Sequence, residues 1–165
     1  MSWLASNSTG ATACPAPSCA RLDSDASKEA CRRAAIGLLT FVGLAEYANE
    51  AARFLPFGHQ RRLEIARALA ARPRLLLLDE PAAGLTTQEI DELEVMIRKI
   101  AALGVSVLLI EHHVDLIMAV ADTVTVLDYG QIIASDSPSA VQADPRVIEA
   151  YFGGPLAQAP TTEAA

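Results

Sequence analysis

Only two lysines, Lys28 and Lys99, occur in the 165 residues, and neither follows a glycine. A phosphate loop of the form G-x-x-x-x-G-K-[ST], whose backbone N–H groups and lysine hold the β- and γ-phosphates, is therefore absent from this sequence. Aromatic residues amount to 5%, and no apolar run approaches the roughly 18 residues of a membrane-spanning helix. Basic residues are outnumbered, 13 against 20 acidic, for a net charge of −7. No uniform basic field exists, and nucleic acid is not expected as a partner. The three cysteines, Cys14, Cys19 and Cys31, form no CxxC and have no neighbouring histidine, which excludes a zinc framework. Residues 1–20 carry no charge, and Trp3-Leu4 is too short for an h-region, so a secretory signal is not expected. The expectation is a cytosolic chain with reduced thiols.

What is present is a chain that is 52% apolar and 20% charged, the profile of a globular domain. Residues 1–23, rich in Ser, Ala and Thr with Pro15 and Pro17, read as an unstructured leader. From 24 to 154 the pattern is regular, and 155–165 reads as a flexible tail. Ala30, Ala34, Leu38 and Val42 recur at helical spacing before Gly43. A second helix is expected from about Gln60 to Ala71, ended by Pro73. Leu75-Leu76-Leu77-Leu78, between Pro73 and Pro81, reads as a strand buried on both faces. Thr86-Thr87-Gln88-Glu89 is a capping box that opens a helix with Ile90, Leu93, Ile97 and Ile100 on one face and Gly104 at its end. Val105–Ile110 reads as a second buried strand, Val114–Ala121 as a short helix, and Thr123–Leu127 and Gln131–Ala134 as a hairpin through Tyr129-Gly130. Alternating strands and helices indicate α/β with a mostly parallel sheet.

Three local patterns carry chemistry. The strand Leu75–Leu78 runs into Asp79-Glu80-Pro81, which puts two carboxylates at the carboxyl end of a buried strand, where open parallel sheets bind ligands. Adjacent acids there diverge. One can hold a hard cation such as Mg²⁺, and the other can orient or deprotonate water. Two solvated acids at a strand end are the plain alternative. Second, Leu55-Pro56-Phe57-Gly58-His59-Gln60 leads into a helix bearing Arg61 and Arg62. Uncapped N–H groups and the helix dipole form a natural seat for phosphate, although an ordinary helix with exposed arginines has the same pattern. Third, Leu108-Leu109-Ile110-Glu111-His112-His113 sets His112 just past a buried strand, close to Asp79 and Glu80 if the strands are neighbours. A lone histidine is more often structural. Two adjacent ones at a strand end are expected to point apart, which argues against a shared metal.

In this order the three patterns resemble the C-terminal part of an ABC transporter ATP-binding subunit, most closely the branched-chain amino acid importer type. The resemblance runs from Ser24 to Gly154 and is carried by Arg61–Leu69, Asp79–Leu85 and Val147–Gly153. It implies an incomplete P-loop NTPase fold that lacks its phosphate-loop strand. Asp79 then matches the residue that orders Mg²⁺, Glu80 the carboxylate that activates water, and His112 the switch histidine at the γ-phosphate of ATP. Leu55, Pro56, Phe57, Gly58, His59 and Gln60 match the signature stretch, which touches nucleotide held by the opposite subunit. Gly84, Leu85 and Thr86 fall in the loop that crosses that dimer interface. Pro56 and His59 depart from the usual Ser and Gln. The partners implied are a second ABC ATPase subunit in a head-to-tail dimer and membrane permease subunits, with the protein at the cytoplasmic face of the membrane.

The phosphate loop, the adenine-stacking aromatic and the Q-loop glutamine of the family are not matched. The expectation is an incomplete subunit, from a truncated gene, a frameshift or a misplaced start, that does not hydrolyse ATP alone. Without the central phosphate-loop strand, Val105–Ile110 is expected to keep an unpaired apolar edge, separated from Thr123–Leu127, and the chain to be marginally stable or dependent on a partner. A non-catalytic module that pairs with an intact ATPase is the alternative of another class. An ABC ATPase for urea or lipid-linked export is the alternative cargo.

Overall fold

The structure, a computed structural model, describes residues 2–7 and 25–152. The elements run β1 (Ser2–Asn7), α1 (Asp25–Phe41), two short 3-10 turns at Ala45–Tyr47 and Ala52–Phe54, α2 (Phe57–Ala70), β2 (Leu75–Asp79), α3 (Thr87–Ala102), β3 (Ser106–Glu111), α4 (Val114–Val120), β4 (Thr123–Asp128), β5 (Gln131–Asp136), α5 (Pro138–Gln142) and α6 (Pro145–Phe152). The five strands form one sheet in the order β2-β3-β1-β4-β5. The leader and tail expectations for 8–23 and 155–165 lie outside the described residues.

The largest departure from the sequence reading is β1. Ser2–Asn7 was expected to be without regular structure, yet it is the central strand, antiparallel to β3 on one side and to β4 on the other. Ala5 is in register with Leu109 and with Val124. The gap foreseen between Val105–Ile110 and Thr123–Leu127 is therefore filled, and neither strand is left with an unpaired edge. Ser-Trp-Leu-Ala-Ser-Asn has little strand propensity of its own. Two parallel strands two strand-spacings apart, each presenting unpaired N–H and C=O groups, impose the conformation.

Strands β2 and β3 pair in parallel, and β1 runs against both β3 and β4, so β2, β3 and β4 share one direction. The sheet is mixed, with β1 and β5 reversed. The β4–β5 hairpin turns at Tyr129 and Gly130, with φ of 45° and 80°, the paired left-handed residues of a type I′ turn.

The core gathers on one face of this sheet. Leu76, Leu78, Val107, Leu109, Val124 and Val126 meet Ile65 and Leu69 of α2, Leu93, Ile97 and Ile100 of α3, and Leu116 and Ile117 of α4. β2 is consequently not buried on both faces: Leu75 and Leu77 are 53% and 64% exposed. β2 is also an edge strand, which is where the aggregation liability sits. Helix α1 has no buried residue, and only its last turn packs on the core, through Leu38, Leu39 and Phe41. Helix α3 carries the capping box in full: Thr86 Oγ1 accepts from the Glu89 N–H while Glu89 accepts from the Thr86 N–H at 2.8 Å.

Candidate functional site

The parallel register of β2 and β3 brings the Asp-Glu pair and the His pair to one edge. Asp79, the last residue of β2, lies opposite Ile110, and the next N–H, that of Glu80, donates to the Ile110 carbonyl at 2.8 Å. Glu80 then leaves the strand with φ of 44°, a left-handed conformation that a side chain with a Cβ adopts at a cost of roughly 1–2 kcal/mol. That kink starts the turn through Pro81–Leu85 and separates the Glu80 carboxylate from that of Asp79. Both residues are exposed. His112 Nδ1 lies 3.9 Å from Glu80 Oε1 and 3.5 Å from Glu111 Oε2.

Glu111 organises this edge. It is 1% exposed, and its carboxylate accepts three backbone N–H bonds: from Ala82 at 2.8 Å, His112 at 2.8 Å and His113 at 3.2 Å. One buried carboxylate thus ties the end of β3 to the turn that follows β2, and satisfies N–H groups that neither strand can bond. The Tyr151 hydroxyl donates to the His112 carbonyl at 3.2 Å, fixing the same residue from α6. The two histidine rings do not point apart, as strand alternation suggests. They lie 4.7 Å apart at 32°, because β3 ends at Glu111, so neither histidine is part of the strand and His113 becomes the N-cap of α4.

The second cluster joins the start of α2 to the loop before α3. α2 begins at Phe57, one turn earlier than periodicity suggests, and Pro56 caps it without a side-chain bond. Gly58 and His59 are therefore helical. A Cβ on Gly58 would stand 2.0 Å from Glu89 Oε1, so the glycine permits the two helix starts to meet. The Glu89 carboxylate complements the positive end of the α2 dipole there. Its pKa is lowered, first by the backbone N–H and then by the hydroxyl of Thr86. Gly84, with φ of 76°, brings the loop within 3.1 Å of Phe57 Cε1, measured from an added Cβ. Arg61 lies over the Phe57 ring at 5.2 Å, and Arg62 pairs with Glu92.

The other residues read from the sequence fall as follows. Leu55 is buried, and its carbonyl accepts from Gln60 Nε2 at 2.8 Å, so Gln60 holds its own loop. The His59 ring sits 5.0 Å from that of Tyr47, with Nδ1 buried and without a hydrogen-bond partner among the described residues. Leu85 packs against the core, while Pro56 and Thr86 are exposed. Glu80 and His112 are brought together, and the Leu55–Gln60 stretch meets Gly84–Thr86. Glu111 and Tyr151 escaped the sequence reading. The parity of β3 does mark Glu111: with Val107 and Leu109 buried, alternation puts it on the core face.

The exposed carboxylates of Asp79 and Glu80 are hard oxygen donors of the kind Mg²⁺ takes. A complete ATP site is not fitted, since no glycine-lysine pair exists to cradle phosphate. No helix among the described residues is long and apolar enough to cross a membrane.

Comparison with known proteins bears on the same segments. The profile of the ABC transporter family matches residues 5–83, and that of the branched-chain amino acid ATP-binding cassette transporter matches residues 131–157. The high-affinity branched-chain amino acid transport ATP-binding protein BraF of Pseudomonas aeruginosa is 47% identical over 113 residues, 68% of this chain and 44% of the relative. LivG of Escherichia coli, of the same description, is 43% identical over 129 residues, 78% of this chain and 50% of the relative. The ATP-binding cassette MJ1267 of an ABC transporter, in its ADP conformation, superimposes with a TM-score of 0.68 at 31% identity. That match covers 74% of this chain and 50% of the cassette. This chain spans about half the length of these relatives. With the strand-end acids, the histidine past β3 and the loop before α3 in this order, the chain belongs to the ABC transporter ATP-binding family, carries its C-terminal portion, and is similar within that family to branched-chain amino acid transport ATP-binding proteins.

Proposed function

We propose that this chain is the C-terminal portion of an ATP-binding subunit of an ABC importer for branched-chain amino acids, whose intact form couples ATP hydrolysis to transport. The observation that carries the reading is the juxtaposition of Glu80 and His112, 3.9 Å apart at the carboxyl ends of neighbouring parallel strands, with Asp79 beside them. In this reading Asp79 holds Mg²⁺, and Glu80 accepts a proton from, or orients, the attacking water. His112, held by Glu111 and Tyr151, donates toward the γ-phosphate. The stretch Leu55–Gln60 and the loop residues Gly84, Leu85 and Thr86 act across a head-to-tail dimer, on nucleotide held by a second ATPase subunit. That pair docks on membrane permease subunits at the cytoplasmic face. The match to the branched-chain cassette at residues 131–157 favours this cargo over lipid-linked export, although a lipopolysaccharide export ATP-binding protein from Acidithiobacillus ferridurans is 38% identical over 96 residues.

Because the 165 residues contain no phosphate loop, the chain does not hydrolyse ATP by itself and depends on the nucleotide of its partner. The test is calorimetric titration of the chain with Mg-ATP, alone and then mixed with a full-length branched-chain-type ATP-binding subunit. The expected result is no saturable heat alone and ATP-dependent association in the mixture. Saturable, Mg²⁺-dependent binding by the chain alone overturns the first half of this reading. Absence of ATP-dependent association overturns the second.

A further inference from the structure

We infer that His112, His113 and Glu111 form a binding site for a divalent transition-metal ion of the Zn²⁺ class. The ligand atoms of these three residues all lie within 4.8 Å of one another. In a tetrahedral site with bonds of about 2.0–2.2 Å, neighbouring ligand atoms stand roughly 3.3–3.6 Å apart. The Glu111 carboxylate lies alongside the His112 ring at this range, with Oε2 3.5 Å from Nδ1. Bringing His113 onto the ion requires only a side-chain rotation, since the two rings are 4.7 Å apart and inclined by 32°.

The set is held in place before any ion arrives. Glu111 accepts from the backbone N–H of both histidines, and the Tyr151 hydroxyl fixes the His112 carbonyl. Oε2 of Glu111 accepts from both histidine N–H groups, whereas Oε1 accepts only from Ala82, so the remaining lone pair for a metal is on Oε1. Glu80 Oε1, 3.9 Å from His112 Nδ1, stands where a fourth ligand or its bound water belongs. His112 is exposed and His113 half-buried, so an ion can reach them from solvent.

Donor chemistry separates this site from a Mg²⁺ site. Two imidazoles and one carboxylate select Zn²⁺, Ni²⁺ or Cu²⁺, whereas Mg²⁺ takes oxygen ligands and keeps its water. The inference does not depend on the nucleotide chemistry proposed above. Where that chemistry holds, metal bound here withdraws His112 from its γ-phosphate role.

The test is titration of the untagged 165-residue chain with Zn²⁺ by calorimetry and with Co²⁺ by visible absorption. The expected result is one saturable site with tetrahedral Co²⁺ bands, undiminished by excess Mg²⁺. His112→Ala and His113→Ala each weaken binding by about 10- to 100-fold, while the exposed Glu46→Gln leaves it unchanged. Far-UV circular dichroism verifies that each variant is folded, and His113→Gln replaces His113→Ala if the latter is not. Four results overturn the inference: no binding, equal binding by the double His112/His113 variant, thiolate-to-Co²⁺ charge-transfer bands that report the cysteines, or displacement by Mg²⁺ at equal concentration.

Discussion

Replacing Glu111 with alanine tests whether one buried carboxylate holds the two halves of the site together. The substitution strips the acceptor from three backbone N–H groups, those of Ala82, His112 and His113. Ala82 N–H is fully buried, so its lost bond to an ionised acceptor costs about 1.5–3 kcal/mol, with no water to replace it. The two histidine N–H groups are partly buried and regain some solvation, at about 0.5–1 kcal/mol each. The total is about 2.5–5 kcal/mol, a large fraction of the roughly 5–15 kcal/mol that stabilises a domain. Glu111→Gln keeps one oxygen but turns an NH₂ toward N–H donors, so it falls between wild type and Glu111→Ala. Urea denaturation followed by circular dichroism measures the order. Amide exchange at Ala82, His112 and His113 accelerates beyond the rest of β2 and β3. An alanine variant within about 0.5 kcal/mol of wild type, the range of ordinary surface changes, refutes the assignment of Glu111 as organiser.

Ala5→Pro removes a ladder N–H from the centre of the sheet, where Ala5 is in register with both Leu109 and Val124. It costs about 2 kcal/mol or more by denaturant titration, whereas an unchanged midpoint would mean that β1 is not part of the sheet. At Glu80, with φ of 44°, glycine relieves the left-handed strain that alanine retains. Glu80→Gly therefore melts above Glu80→Ala, by about 1 kcal/mol of stability, and the reverse order would sink the strain argument. The Glu89 carboxyl is held below its ordinary value by the Thr86 N–H and hydroxyl. A depressed pKa contributes stability that is present above the unfolded-state value of about 4.3 and is lost as pH falls through the folded one. The stability difference between wild type and Glu89→Gln is accordingly constant above about pH 5 and shrinks below it. A difference independent of pH down to pH 3 would contradict the capping-box electrostatics.

Much of this protein follows from local chemistry that the sequence carries on its face. Helix α3 begins at its capping box because Thr86 and Glu89 satisfy each other's N–H groups without help from the rest of the fold. The β4–β5 hairpin turns at Tyr129-Gly130 because glycine tolerates positive φ there. Apolar runs ending in Asp79-Glu80 and in His112 identified the two strands whose carboxyl ends meet. Those features depend on neighbours a few residues away, and periodicity and spacing record them.

What depends on distant partners was not written locally. β1 is a strand because β3 and β4 leave a slot of unpaired backbone, not because its residues favour extension. The two faces of β2 differ because helices pack on only one of them, which no run of four leucines reveals. Gly58 follows from the approach of Glu89, 31 positions on, rather than from its own turn. The proximity of His112 to His113 and to Glu111 exists because the chain leaves the sheet after Glu111, and that buried carboxylate takes up the two histidine N–H groups thus freed. The sequence determined which groups could act and at which strand ends. The tertiary structure decided which of them meet, since only packing sets the distance between residues that the chain keeps apart.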